Sequence, residues 1–430
     1  MSRIRSLYIF CIVLITAFLA GCTLPIGEGE PPLPEDTATP TFTPLPITEE
    51  TAQPANKIIT LEIWIPPQFD PGDGSPAGKL FNSQLEEFAS RRPNIRLETR
   101  IKDVEGPGGI VDTLTTASAA APLALPDLVA LPHDALQNAA ALGVLRPFDG
   151  LTDAMDDPDW YNFARQLSHV QNSVFGIPFA GDALIMVYRP DLIEESPADW
   201  VSVLESTEQI AFPASDLDSL LTLTFYRASG GAVLDEDGNP FLDMVHLTDT
   251  LTFYQQGSKN GVFPYWLAQY ETDEQAWVSY DEKQANMVIT WASRYLQTIP
   301  GDSVVATIPT PDNILYTTAT GWAWALASTD PDRQALSAEL AEFLTRADYL
   351  SAWNAAAGFL PPRPEALSIW DDSQLASVLD IVCSSAQLPP SADVLSSVGP
   401  LLNKSIIDVL KEQADPATAA QSAIDGLAAP

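Results

Sequence analysis

IITLEIWIPPQFDPGDGSPAGKLFNSQLEEFASRRPNIRLETRI, residues 58–101, changes its hydrophobic period twice. Ile58–Trp64 is β-branched and apolar, which reads as a strand. Leu80, Phe81, Leu85 and Phe88 then recur at helical spacing, and Arg91-Arg92-Pro93 ends the run. Ile95–Ile101 alternates cleanly, as a strand with one covered face does. The pattern continues with a helix around Asp112–Ala120, a buried strand at Leu128–Leu131 and a helix from Ala135 to Ala141. Strand alternating with helix predicts an α/β fold, a mostly parallel sheet covered on both faces. Ala183–Tyr188, Asn286–Thr290, Val304–Ile308 and Gly321–Ala327 are further strand candidates among many helices. No period of 20–50 residues recurs, which excludes a solenoid or propeller.

The start of the chain is an address. Arg3 and Arg5 precede an apolar run from Leu7 to Ala20, too short to span a bilayer comfortably. Residues 1–21 therefore read as a signal peptide. Leu19-Ala20-Gly21-Cys22 resembles the lipobox of bacterial lipoproteins, which implies that Cys22 becomes the lipidated first residue of the mature protein. Residues 23–56 hold eight prolines, seven threonines and six acidic residues without a Lys or Arg. Such a segment buries too little apolar surface to offset its ordering entropy. As a polyproline-like tether it reaches roughly 100 Å at about 3.1 Å per residue.

Lys and Arg number 21 against 57 Asp and Glu, a net charge of −36. That field repels nucleic acid and anionic headgroups, so no nucleic-acid partner is expected. Hydrophobic residues make up 46% of the chain, which excludes global disorder. With Cys11 in the signal and Cys22 lipidated, Cys383 stands alone, so the mature form has no intrachain disulfide. His133, His169 and His246 lack the spacing of a zinc site, and no metal or cofactor is expected. Asp235-Glu236-Asp237-Gly238-Asn239 lacks the oxygen spacing of a calcium loop and reads as an acidic hairpin turn. No Gly-x-Ser-x-Gly elbow, HExxH helix or Walker-type loop is present, and the chain reads as a binding protein, not an enzyme.

The order of the segments resembles the extracellular solute-binding proteins of ABC importers, in the branch that includes maltose- and other sugar-binding proteins. TLEIW (60–64) and EEFASRRPNIRLETR (86–100) are similar to that family's first strand, helix and second strand. PDLVALPHDAL (126–136) with LGVLRPFD (142–149) resembles the stretch where a strand ends in the cleft. VFGIPFAGDALIMVYRPDLI (174–193) resembles the crossing between lobes, with Arg189 where the family usually has asparagine. EKQANMVITWASRY (282–295), TATGWAWALAS (318–328), ELAEFL (339–344) and GFLPPR (358–363) follow in the family's order. The resemblance implies a two-lobed periplasmic-binding-protein-like fold with a ligand cleft between lobes. One lobe would hold residues 58–180 plus 315–357 and the other 181–314 plus 358–430, after the signal (1–21) and the anchor with its linker (22–57). The chain would pass between them near Ala180–Asp182, Thr310–Tyr316 and Ala356–Phe359.

A polyol is bound by aromatic faces and by carboxylates or amides that accept from its hydroxyls. Asp182 interrupts an apolar run and matches the family's acidic residue at the crossing; the other reading is a turn or cap aspartate. Asp134 follows the strand Leu128–Leu131, at the edge where open α/β sheets bind ligands; it matches a family carboxylate, and it would also serve as an N-cap. Trp64 and Trp291 end strands at that edge, each as stacking platform or core aromatic. Trp322 and Trp324 share one face of a strand of period two. Arg363, beside Trp353, either grips a ligand or braces the hinge, and Tyr265-Trp266 offers a further platform.

These readings describe a monomeric, extracytoplasmic receptor, lipid-anchored through Cys22. It would capture a small solute, a carbohydrate, by hinge closure and pass it to the membrane subunits of an ABC importer. A lipid-anchored carbohydrate-active enzyme and an adhesion or scaffold lipoprotein with a degenerate cleft are the competing classes. Cys22→Ser is expected to abolish lipidation, read by labelling with a fatty-acid analogue; label that persists in the variant refutes the anchor.

Overall fold

The computed structural model describes residues 58–428; the signal peptide, Cys22 and the linker lie outside them. Strands β1 (Ile59–Ile65), β2 (Ile95–Ile101) and β3 (Leu128–Pro132) run parallel in the order β2-β1-β3. The helix Pro76–Ser90 links the first two and buries Phe81, Leu85 and Phe88. Ser75 caps it by accepting from the Gly78 amide at 2.9 Å, one of the donors a helix start leaves unpaired. The helices Ile110–Ala120 and His133–Ala141 cover the other face with Ile110, Leu114 and Leu136.

A short hairpin, β4 (His169–Val170) and β5 (Ser173–Val174), leads into β6, twelve residues from Ile177 to Tyr188. The remaining strands are β7 (Ile210–Ala211), β8 (Met287–Trp291), β9 (Val304–Ala306), β10 (Thr317–Leu326) and β11 (Ala386–Gln387). The first half of β6 pairs antiparallel with β10, and the second half lies between β8 and β9. The sheet order β2-β1-β3-β10-β6-β8-β7 therefore passes from one lobe to the other inside a single strand. Ile177 to Val187 are all buried, as expected of a strand covered on both faces. The strand expected from Ala183 thus begins six residues earlier. Pro178, which cannot donate to a ladder, is accommodated by a register shift between Trp322 and Ala323 of β10.

The two lobes share this architecture of sheet flanked by helices. One core runs from Phe88 and Leu61 through Phe179 and Trp324 to Val288 and Tyr295. A second, built from Phe212, Phe225, Tyr254, Phe263 and Leu402, lies behind β6 and β8. The Asp235–Asn239 segment is the expected hairpin turn, its tip held by the Asp235 amide donating to the Asn239 carbonyl at 2.9 Å.

Three segments meet at Gly181. Its amide donates to the Leu360 carbonyl at 2.6 Å and the Leu360 amide returns a bond at 2.8 Å, while Gly321 of β10 sits opposite. A Cβ on Gly321 would lie 2.5 Å from the Ala180 carbonyl, and one on Gly181 2.7 Å from the Phe163 ring. Both glycines are therefore demanded by close approach, not by an unusual backbone angle. Arg189, the departure from the family's asparagine, is buried. It pairs with Asp302 at 3.0 Å, donates to the Tyr280 and Ala285 carbonyls, and lies over the Tyr280 ring. It closes the far end of β6.

Asp127, fully buried at the start of β3, accepts from the Glu62 amide at 2.8 Å and forms a two-pronged pair with Arg333. Arg333 is one-third exposed, so it could rehydrate if Asp127 were removed, whereas Asp127 could not. Arg333→Met is therefore expected to cost about 3 kcal/mol, and more than Asp127→Asn. Urea denaturation reads both; the reverse order would show that the buried carboxylate is not held by this pair.

Candidate solute-binding site

Parallel strands in open α/β sheets present ligand sites at their C-terminal ends. Here the segments that follow β2 and β3 line a groove of about 920 Å³. One wall comes from the loop after β2 (Val104–Gly106), from Asp112 and from the helix that follows β3, with Asp134 on its first turn; the β4–β5 turn adds His169 and Gln171. The opposite wall is Ser391–Asp393, at the start of the long helix Ala392–Leu410 whose body lies in the second lobe's core. The groove thus lies between helices packed on the first sheet and a helix packed in the second core.

Asp134 is exposed, with Oδ1 at 3.1 Å from Nδ1 of the buried His133, whose other nitrogen meets Gln137 at 2.8 Å. It is not the N-cap considered from the sequence. The helix starts at His133 with Pro132 at the cap position and no side-chain cap bond. Asp134 therefore projects a free carboxylate edge from a first turn, where the helix dipole favours negative charge.

A second concavity, about 210 Å³, lies in the other lobe where β8 ends at Trp291. Trp291 is half-buried, and Asp216, Asp273, Leu184 and Ile289 share the wall. Asp273 opens a helix behind Thr272, which caps it, and accepts from Thr290 Oγ1 at 2.6 Å and Arg294 Nε at 3.2 Å. Thr290 thus has a definite partner. Burial raises the Asp216 pKa, against the backbone amides of Leu220 and Asp218 that favour its charged form.

Asp182 lies where β6 changes partners, opposite Thr320 and two residues before Leu184, which faces Trp291. It is buried, and both oxygens are engaged. Oδ1 accepts from the Ala183 amide at 2.9 Å and the Ser293 amide at 3.0 Å, and Oδ2 accepts from Ser293 Oγ at 2.5 Å. Burial pushes its pKa up to about 7, outweighing these bonds, and the nearby Asp273 charge adds to the rise.

The other sequence candidates are dispersed. Trp64 is buried, its indole donating to Glu62 and its ring lying under Lys102 at 4.6 Å. Trp324 stacks on Phe179 at 4.6 Å within the core, and half-buried Trp322 meets Phe69 edge-on at 4.9 Å. Trp353 belongs to the same cluster. Arg363 binds Asp157, Asp159 and the Thr345 carbonyl and covers Trp160, so its donors are spent within the protein. Tyr265 is exposed and Trp266 packs on Tyr270. Sequence reading missed Ser293, Asp216, Asp273 and Asp393. Of these only Asp273 carried a local signal, the capping box of Thr272 with Gln275.

A two-lobed α/β body is the architecture of solute-binding proteins. The model of the bacterial extracellular solute-binding protein family matches residues 85–377, and the chain belongs to that family. No curated sequence matches it. Among solved structures it is similar to the cyclic alpha-maltosyl-1,6-maltose binding protein from Arthrobacter globiformis, at 14% identity and TM-score 0.70, over 86% of this chain and 98% of that one. The sugar-binding protein MalE from Xanthomonas citri matches at 18% identity and TM-score 0.69, over 86% and 98%. Maltose-bound MalE3 of T. maritima matches at 19% identity and TM-score 0.63, over 86% and 99%.

The Asp182 carboxyl supplies a test by linkage. Its folded pKa of about 7 exceeds the roughly 3.9 of an unfolded aspartate, so between these values the folded state holds a proton the unfolded state has lost. Stability is then highest below the unfolded pKa and falls as pH rises toward 7. Asp182→Asn is expected to flatten this slope and gain on the wild type by on the order of 3 kcal/mol between pH 4 and 7.5. Parallel pH profiles in urea denaturation would assign the proton elsewhere.

Proposed function

We propose that the protein is a lipid-anchored, extracytoplasmic receptor that captures a carbohydrate between its lobes and hands it to an ABC importer. The observation that carries this reading is the groove between helices of the first sheet and the start of the Ala392–Leu410 helix, in a fold where β6, β10 and the Leu360 return lie side by side. A ligand touching both walls favours a closed form over an open one, whereas a ligand held by one wall shifts nothing. Asp134 and Asp393 offer acceptors for hydroxyls from the two walls of the groove, and the separate concavity at Trp291, with Asp216 and Asp273, offers a stacking face and further carboxylates. Maltose and a cyclic maltosaccharide are what the similar structures above are described as binding, and α-glucans are the first ligands to try.

A thermal-shift screen of the mature protein across maltose, maltotetraose, other sugars, polyols and polyamines is expected to give its largest stabilisation with a saccharide. The radius of gyration from solution scattering should shrink when that saccharide is saturating. Trp291→Ala should weaken its binding about tenfold through lost stacking. A hit confined to polyamines would replace the solute class, and an unchanged envelope at saturation would refute closure.

A further inference from the structure

The helix Ala292–Thr298 begins at the residue after Trp291 with no cap of its own, since Trp291 occupies the cap position and an indole cannot accept from the first amides. The missing acceptor comes from another strand. Asp182 of β6 receives the Ser293 amide on one oxygen and the Ser293 hydroxyl on the other. The same strand holds Trp291 by pairing it with Leu184. The aromatic wall of the second concavity is thus fixed twice to the strand that crosses between lobes, once by a ladder and once by a buried carboxylate.

We propose that Asp182 is a positioning residue: it does not touch the solute but holds Trp291 in place by capping the helix that follows, so that the crossing strand and the aromatic wall move as one piece. This rests on the place of Trp291 in the proposed solute site only for its binding readout; the geometry stands without it. Both Asp182 oxygens already accept protein hydrogen bonds, and the side chain is 8% exposed, which leaves a sugar hydroxyl little to reach. The groups facing it are few. Asp273 looks in from the helix Asp273–Asp281, its charge countered by Arg294, and Cys383 from the helix Ser373–Ser385. Thr320 is its register partner on β10. No cation neutralises Asp182 directly among the described residues, so its protonation changes the strength of the cap, the ionised form accepting most strongly.

Hydrogen exchange of the mature protein tests the cap without any ligand. Amides 292–295 should exchange at least tenfold faster in Asp182→Ala than in wild type, and Asp182→Asn, which keeps an acceptor for the Ser293 amide, should restore most of the protection. Binding of maltotetraose then separates positioning from contact. Asp182→Ala should lose about tenfold in affinity, Asp182→Asn should recover it, and the wild-type rise in affinity between pH 6 and 8 should vanish in Asp182→Asn. Wild-type exchange rates in Asp182→Ala overturn the proposal. So does an affinity loss in Asp182→Asn equal to that in Asp182→Ala with protection intact, which would mean a carboxylate in contact with sugar. If maltotetraose fails to bind the wild type, the glucan reading falls and the exchange result still decides the role of Asp182.

Discussion

The structure depends on β6 having two sets of neighbours. Its first seven residues pair with β10 and its last five with β8 and β9, so one unbroken strand belongs to both lobes. A strand in that position is covered on both faces along its length, and Ile177–Val187 is buried without interruption. Burial on that scale would be uneventful for an all-apolar strand, at about 25 cal/mol per Å² of apolar surface. Asp182 is the exception, and the surrounding structure is arranged around satisfying it. A buried carboxylate without partners costs several kcal/mol, which is why the Ser293 amide and hydroxyl and the Ala183 amide converge on it.

The glycine pair beside it follows from the same geometry. With Gly321 opposite Gly181 and Leu360 bonded to Gly181 from the other side, three chains approach too closely for side chains. Backbone meets backbone at this point, while the core that holds Phe163, Ala180, Ala183 and Leu360 runs past it to Val288 and Tyr295. Arg189 does the opposite job at the distal end, tying β6 to Asp302 and to two carbonyls beyond β8. One end of the strand is fastened by a guanidinium, and its middle is held by close backbone approach.

What was legible in the sequence follows the range of the forces involved. Period changes reported β1, β2 and β3 within a residue or two, because each is set by local alternation and flanking turns. The start of β6 was not legible, since Pro178 and Gly181 argue locally against a strand and only the β10 register shift and the Leu360 contact excuse them. Asp182 stood out as a charge in an apolar run, yet its partner Ser293 is more than a hundred residues away and nothing local announces the pair. The tryptophans show the limit of composition. Trp64, Trp322, Trp324 and Trp291 all end or line strands near the same edge, and the pleat together with the neighbouring helices decides which ring faces solvent.

Electrostatics completes the argument about what the site can hold. The excess of acidic residues is spread over the surface, where solvent and salt screen it, and says little about the ligand. Carboxylates at the second concavity differ from that background by their tethering. Asp273 is fixed by Thr290 and Arg294, and Asp216 by the amides of Asp218 and Leu220. A fixed carboxylate can accept from a hydroxyl without losing further side-chain freedom, so the ordering cost of binding is already met in folding. A neutral solute rich in hydroxyls gains most from such acceptors when a flat apolar face lies beside them, and Trp291 is the ring that stands there.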